Sequence, residues 1–119
     1  MPGLKRNFSI IYTCKLREVV DNMSKSGLTQ YQDECLEILA EECAEVIQEK
    51  SKIFRFGMMQ ESWHHKGMTH AECLEVELGD LLAMVELVEQ SGLVTKDGLE
   101  RAKQKKLQKV IMWMTHKKD

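Results

Sequence analysis

Apolar residues recur at helical spacing in four stretches of the chain, and few stretches alternate with period two. The first predicted helix spans about 7–24, with Ile11, Leu16, Val19, Val20 and Met23 as its stripe and "SKSG" as its stop. The second opens at Thr29, where "TQYQ" forms a capping box, and runs to about Phe56, where Gly57 ends it. "GMMQESWHHKGM" (57–68) reads as a loop. "THAE" (69–72) is another capping box and launches a helix to about Gln90. "SGLVTKDG" (91–98) interrupts the pattern, and "DGLE" (97–100) starts a last helix that reaches about His116. The one proline, Pro2, breaks none of these. The prediction is an all-α, four-helix bundle-like fold in a single domain over 1–119.

Within that pattern the carboxylates are oddly placed. Around the long helix, Leu36, Leu39, Cys43, Val46 and Ile53 share the face expected to be buried. Glu42, Glu45 and Glu49 line one border of that face, whereas Glu37 and Glu41 point away from it. On the next helix Leu74, Leu78, Leu81, Val85 and Val88 form the stripe. Glu77 falls inside that arc, about 40° from Leu81, and Asp80 borders it. An ionised carboxylate held against leucines must be protonated, paired with a base or bound to a cation. On the last helix Lys103 and Lys106 share the stripe of Leu99, Leu107, Val110 and Met114, so they are expected to neutralise Glu77 or to hold an anion in the same cleft.

Glu42 with Glu45, and Glu77 with Asp80, are pairs one turn apart on two helices that short bundles pack together. Facing each other, they form an all-oxygen cage suited to Mg²⁺ or Mn²⁺ rather than to zinc. Taken alone, each such pair more often lies on a solvated helix face.

Composition narrows the choice of partners. With 119 residues the chain is one domain, and a hydrophobic share of 43% argues against disorder in its bulk. A net charge of −2 gives no basic field for a nucleic-acid polymer. No apolar run reaches the roughly 20 residues of a membrane helix, and "MPGLKRNFSIIYTC" makes a poor signal peptide. Cys14, Cys35, Cys43 and Cys73 form no CxxC pair and read as buried free thiols of a cytoplasmic protein.

"EECAE" followed by "ELGD" resembles the EExxE…ExxD signature of the all-α nucleoside triphosphate pyrophosphohydrolases. That group includes MazG-like proteins, dimeric dUTPases and phosphoribosyl-ATP pyrophosphatase. "ILAEECAEVIQEKSKIFRFG" and "LEVELGDLLAMVELV", with the lysine-rich last helix, are most similar to small MazG-like proteins of phages and bacteria, over about 30–112. The resemblance implies that Glu42, Glu45, Glu77 and Asp80 hold Mg²⁺, with Mn²⁺ a possible substitute. It implies that Lys52, Arg55, Lys106 and Lys109 hold phosphates, and that Glu41 is a water-orienting base, an outer ligand or a solvated spare acid. It also implies a homodimer or homotetramer. The chain has "MTHAE" where the small phage-type members carry an asparagine, so Thr69 and His70 bear on a sugar or phosphate contact or on substrate preference.

The function expected is hydrolysis of a (d)NTP to the monophosphate and pyrophosphate. A di-iron bundle needs ExxH on two helices, and only Glu61/His64 has that spacing, in the loop. A catalytically silent helical adaptor on the same fold is the rival from another class. His64, His65 and His70 are expected to face solvent, Trp63 is a candidate to stack on a base, and Trp113 is expected in core or interface.

Overall fold

The computed structural model describes residues 26–118. The expected N-terminal helix, about 7–24, and Cys14 lie outside them. The described residues form three helices and no named strand: α1 (Gln30–Phe56), α2 (His70–Gln90) and α3 (Lys96–Trp113).

Both capping boxes are formed. At the start of α1 the Thr29 hydroxyl accepts from Gln32 N at 3.1 Å, and the Gln32 amide oxygen accepts from Thr29 N at 3.1 Å. Thr69 and Glu72 make the reciprocal pair at 3.2 and 2.7 Å. α1 stops where Gly57 turns to φ 91° and donates its N–H to Ile53 O at 2.8 Å.

The connection from 57 to 69 is better tied than a plain loop. Ser62 N donates to Met68 O at 2.8 Å, His70 N to Gln60 O at 3.0 Å and Ala71 N to Met58 O at 2.9 Å. Gly67 N donates to the Glu61 carboxylate at 2.7 Å, closing the tip. These bonds hold Ser62 and Trp63 over the first turn of α2.

α1 and α2 run antiparallel, in a register that their contacts define. Cys35 packs with Met84 and Val88, Glu42 meets Glu77, and Glu49 meets His70. Cys35, Glu42 and Glu49 are each seven residues apart, as are His70, Glu77 and Met84. Two turns of each helix therefore separate successive rungs of one seam. The Gln32 side chain closes one end by donating to Ser91 O at 2.9 Å. The buried apolar cluster, Cys35, Met84 and Val88 with Ile38, Leu39 and Leu93 against it, fills that end, and Cys73 is buried near the other. Further along, the rungs are polar.

α3 departs from the bundle expected. α1 and α2 are the one helix pair in substantial contact among the described residues, and α3 buries no residue. Leu107 and Met114, expected to face the core, are about half exposed, and Trp113 is 73% exposed. The cause lies in the helix itself. Lys103 and Lys106 interrupt its apolar stripe, and docking that face on α1 and α2 would strip water from both ammonium groups. Cys43, expected inside, is also exposed, whereas Cys35 and Cys73 are buried thiols.

Replacing Thr69 with Ala removes one half of the capping box at the base of α2. Urea unfolding should show a loss of about 1 kcal/mol. An unchanged midpoint would mean that the loop hydrogen bonds, not the cap, secure this end.

Candidate metal centre and the rungs beside it

Glu42 and Glu45 leave α1 one turn apart, and Glu77 meets them from α2. A carboxylate oxygen of each lies within 4.8 Å of the other two. Glu42 and Glu77 are half-buried, and the Oε2 atom of each is buried without a hydrogen-bond partner. The ion pairs among the described residues are Lys52–Glu49, His70–Glu49 and Lys103–Glu100. None of them involves the cluster.

Three acids so close cannot all stay ionised without help. Glu77 is pushed up to about 7 by a hydrogen bond shared with Glu45, then by burial, then by the charges of Glu45, Asp80 and Glu42. Glu42 is raised as well, first by burial and then by Glu45 and Asp80. The two remedies are a proton on Glu77 or a cation among the three. The donor set is oxygen only, and it suits a hard divalent ion.

Asp80 and Glu41 stand differently from the three. Asp80 is exposed and outside the convergent group, near enough for its charge to raise both Glu77 and Glu42. Glu41 is exposed, in line with its outward angle.

The basic residues are not gathered here. Lys52 donates to Glu49 Oε1 at 2.7 Å. Arg55 lies over the Phe56 ring, 5.1 Å from its centroid, and Lys106 lies 5.6 Å from the Trp113 centroid. Lys109 is exposed. The expected neutralisation of Glu77 by Lys103 or Lys106 does not occur within this chain, because α3 stands off and Lys103 pairs with Glu100 at 2.8 Å.

The next rung is the one that sequence reasoning missed. His70, expected in solvent, is 2% exposed. Its Nδ1 is 3.9 Å from Glu49 Oε2, and its ring stacks on Phe56 with centroids 5.7 Å apart. His64 and His65 are exposed as expected, and Trp63 is exposed too. The signal was present in the spacing: His70 precedes Glu77 by seven residues, as Glu49 follows Glu42 by seven. Any partner helix covering one pair covers the other.

Comparison of the chain with protein-family models, with curated proteins and with solved structures finds no match.

The cluster has a pH signature. Glu77 binds its proton near pH 7 in the folded chain and near 4.5 when unfolded. Its contribution to stability is therefore complete below about pH 4.5 and is lost as pH rises through about 7. With chelator present, urea midpoints should fall more from pH 5 to pH 8 in the wild type than in Glu77→Gln. At pH 8 the variant should be as stable or more stable, by about 1 kcal/mol. Equal falls in both proteins would refute a strained acid at this position.

Proposed function

We propose that the protein is a Mg²⁺-dependent nucleoside triphosphate pyrophosphohydrolase of the small MazG-like, all-α type. The observation that carries this reading is the convergence of Glu42, Glu45 and Glu77 without a basic partner, at the positions where EExxE and ExxD place metal-binding acids. The two orphaned carboxylate oxygens, on Glu42 and Glu77, fit a divalent cation.

The reaction joins a water oxygen to the α-phosphorus of a (d)NTP and breaks the bond to the α–β bridging oxygen. Monophosphate and pyrophosphate leave. Magnesium, when bound, supplies charge neutralisation for the phosphates and an acidified water. The chain supplies the oxygen cage from Glu42, Glu45 and Glu77, with Asp80 one turn along α2 to complete it. Glu41 is available at the surface to orient water. Lys52 and Arg55 lie further along α1, where the resemblance assigns them to phosphate oxygens.

Lys106 and Lys109 serve a phosphate only if α3 docks on another copy, and a homodimer or homotetramer is part of this reading. Its support is the apolar surface that one chain leaves uncovered: Ile111, Met112, Trp113 and Met114 on α3, and Ile47 and Leu82 on the helix pair. The same surface favours the competing reading, a silent helical adaptor. No helix among the described residues is long and apolar enough to cross a membrane. The free thiols of Cys35, Cys43 and Cys73 suit a reducing cytoplasm.

Pyrophosphate release from a panel of dNTPs and NTPs separates the two readings. It should require Mg²⁺ or Mn²⁺. Glu42→Gln and Glu77→Gln should each lower kcat at least about 100-fold while the protein stays folded. Magnesium should also raise the melting temperature of the wild type in a concentration-dependent way. Absence of pyrophosphate with every substrate, in a folded oligomer, would favour the adaptor.

A further inference from the structure

One rung along from the acids, a cavity of about 370 Å³ opens between the end of α1, the 57–69 connection and the start of α2. Its walls are Lys52, Phe56, Ser62, Trp63, His64 and His70. Two of those walls are polar and almost wholly buried, Ser62 and His70, each 2% exposed. Ser62 Oγ, His70 Nδ1 and His70 Nε2 all lack a hydrogen-bond partner. A buried polar atom left unpaired is destabilising, and native folds seldom leave three together. Such a cluster in a cavity wall marks groups awaiting a ligand.

The chemistry of the walls selects the ligand. Phe56 and His70 stack at an interplanar angle of 23°, and Trp63, 81% exposed at the rim, is free to close over a flat guest. Glu49 Oε2 lies 3.9 Å from His70 Nδ1, and the unpartnered Nε2 donates or accepts according to the tautomer. The Ser62 hydroxyl donates or accepts, and Lys52 donates. A planar heterocycle with donors and acceptors on its edge satisfies all of these groups. Position agrees. Glu49 follows Glu45 by one turn and Glu42 by two, roughly 6 and 10 Å along the helix axis, so a ring here and phosphates at the acids belong to one nucleotide.

We propose that this cavity seats the base of the nucleotide, flanked by Trp63 and the Phe56–His70 stack, with Ser62 and His70 reading its edge and Glu49 positioning His70. The assignment rests on the hydrolase reading for the triphosphate and on the cavity alone for the base.

The test uses Trp63 as reporter in the full chain, with Trp113→Phe removing the other indole. Titrated in chelator with nucleosides and their 5′-monophosphates, Trp63 fluorescence should change saturably for at least one base. Ser62→Ala should weaken that binding about tenfold, whereas Glu77→Gln should leave it intact. In hydrolysis, Trp63→Ala should raise KM for the preferred dNTP about tenfold with kcat little changed, and should leave any cleavage of inorganic tripolyphosphate unaffected. Base binding without hydrolysis of any triphosphate would uphold the cavity and sink the hydrolase. Magnesium-dependent hydrolysis with no fluorescence response, and with KM unmoved by Ser62→Ala and Trp63→Ala, would overturn the cavity assignment and leave the acidic centre standing.

Discussion

The carboxyl of Glu77 faces Glu42 and Glu45 across the α1–α2 seam with no base beside it, and much of the structure is arranged around that unbalanced charge. Hydrophobic burial draws the two helices together at the end where Cys35, Met84 and Val88 pack. Past that end the same register, repeating every seven residues, brings acid against acid and then acid against imidazole. The helices cannot escape those rungs by sliding. A shift that separated Glu42 from Glu77 would also uncouple Cys35 from Met84, because one register serves both.

The cost of the polar rungs is offset unequally. Glu49 has Lys52 at 2.7 Å and His70 beyond it. The Glu42–Glu45–Glu77 rung has only a proton shared between acids, which is why Glu77 is pushed up to about 7. Strain held at one place by packing elsewhere is a common mark of a functional site. It also makes the folded chain responsive to anything that brings positive charge into the seam. The adjoining cavity shows the same economy, since Ser62 and His70 are held in a wall by loop hydrogen bonds while Ser62 Oγ and both His70 ring nitrogens make none.

α3 answers to a different balance. It is well capped, with Thr95 accepting from Gly98 N at 3.0 Å, yet it finds no face among the described residues. Its stripe is too interrupted by lysine for burial against α1 and α2 to outweigh their desolvation. Its far end, from Ile111 to Met114, is too apolar to be at ease in water. A helix of that composition is suited to a surface that offers both carboxylates and apolar contact.

How much of this could be read from the sequence differs by kind of interaction. The starts of α1 and α2 and the approximate ends were legible, because Thr29, Gln32 and Gly57, and then Thr69 and Glu72, act within a turn of themselves. The meeting of Glu42, Glu45 and Glu77 was legible too, since helical spacing put them on faces that short helices turn toward each other. Asp80, equally legible by spacing, stays at the surface, because its angle sits at the border of the arc and small rotations of α2 decide which way it faces. His70 was misread as a solvent group, for its neighbours in sequence say nothing of Glu49 and Phe56, which lie across the seam. The sequence by itself determined the local hydrogen bonds and the periodicity, and so the helices and their faces. Only the tertiary structure decided the register between them, the burial of His70 and Ser62, and the separation of α3, because those depend on long-range packing and desolvation that no stretch of one helix encodes.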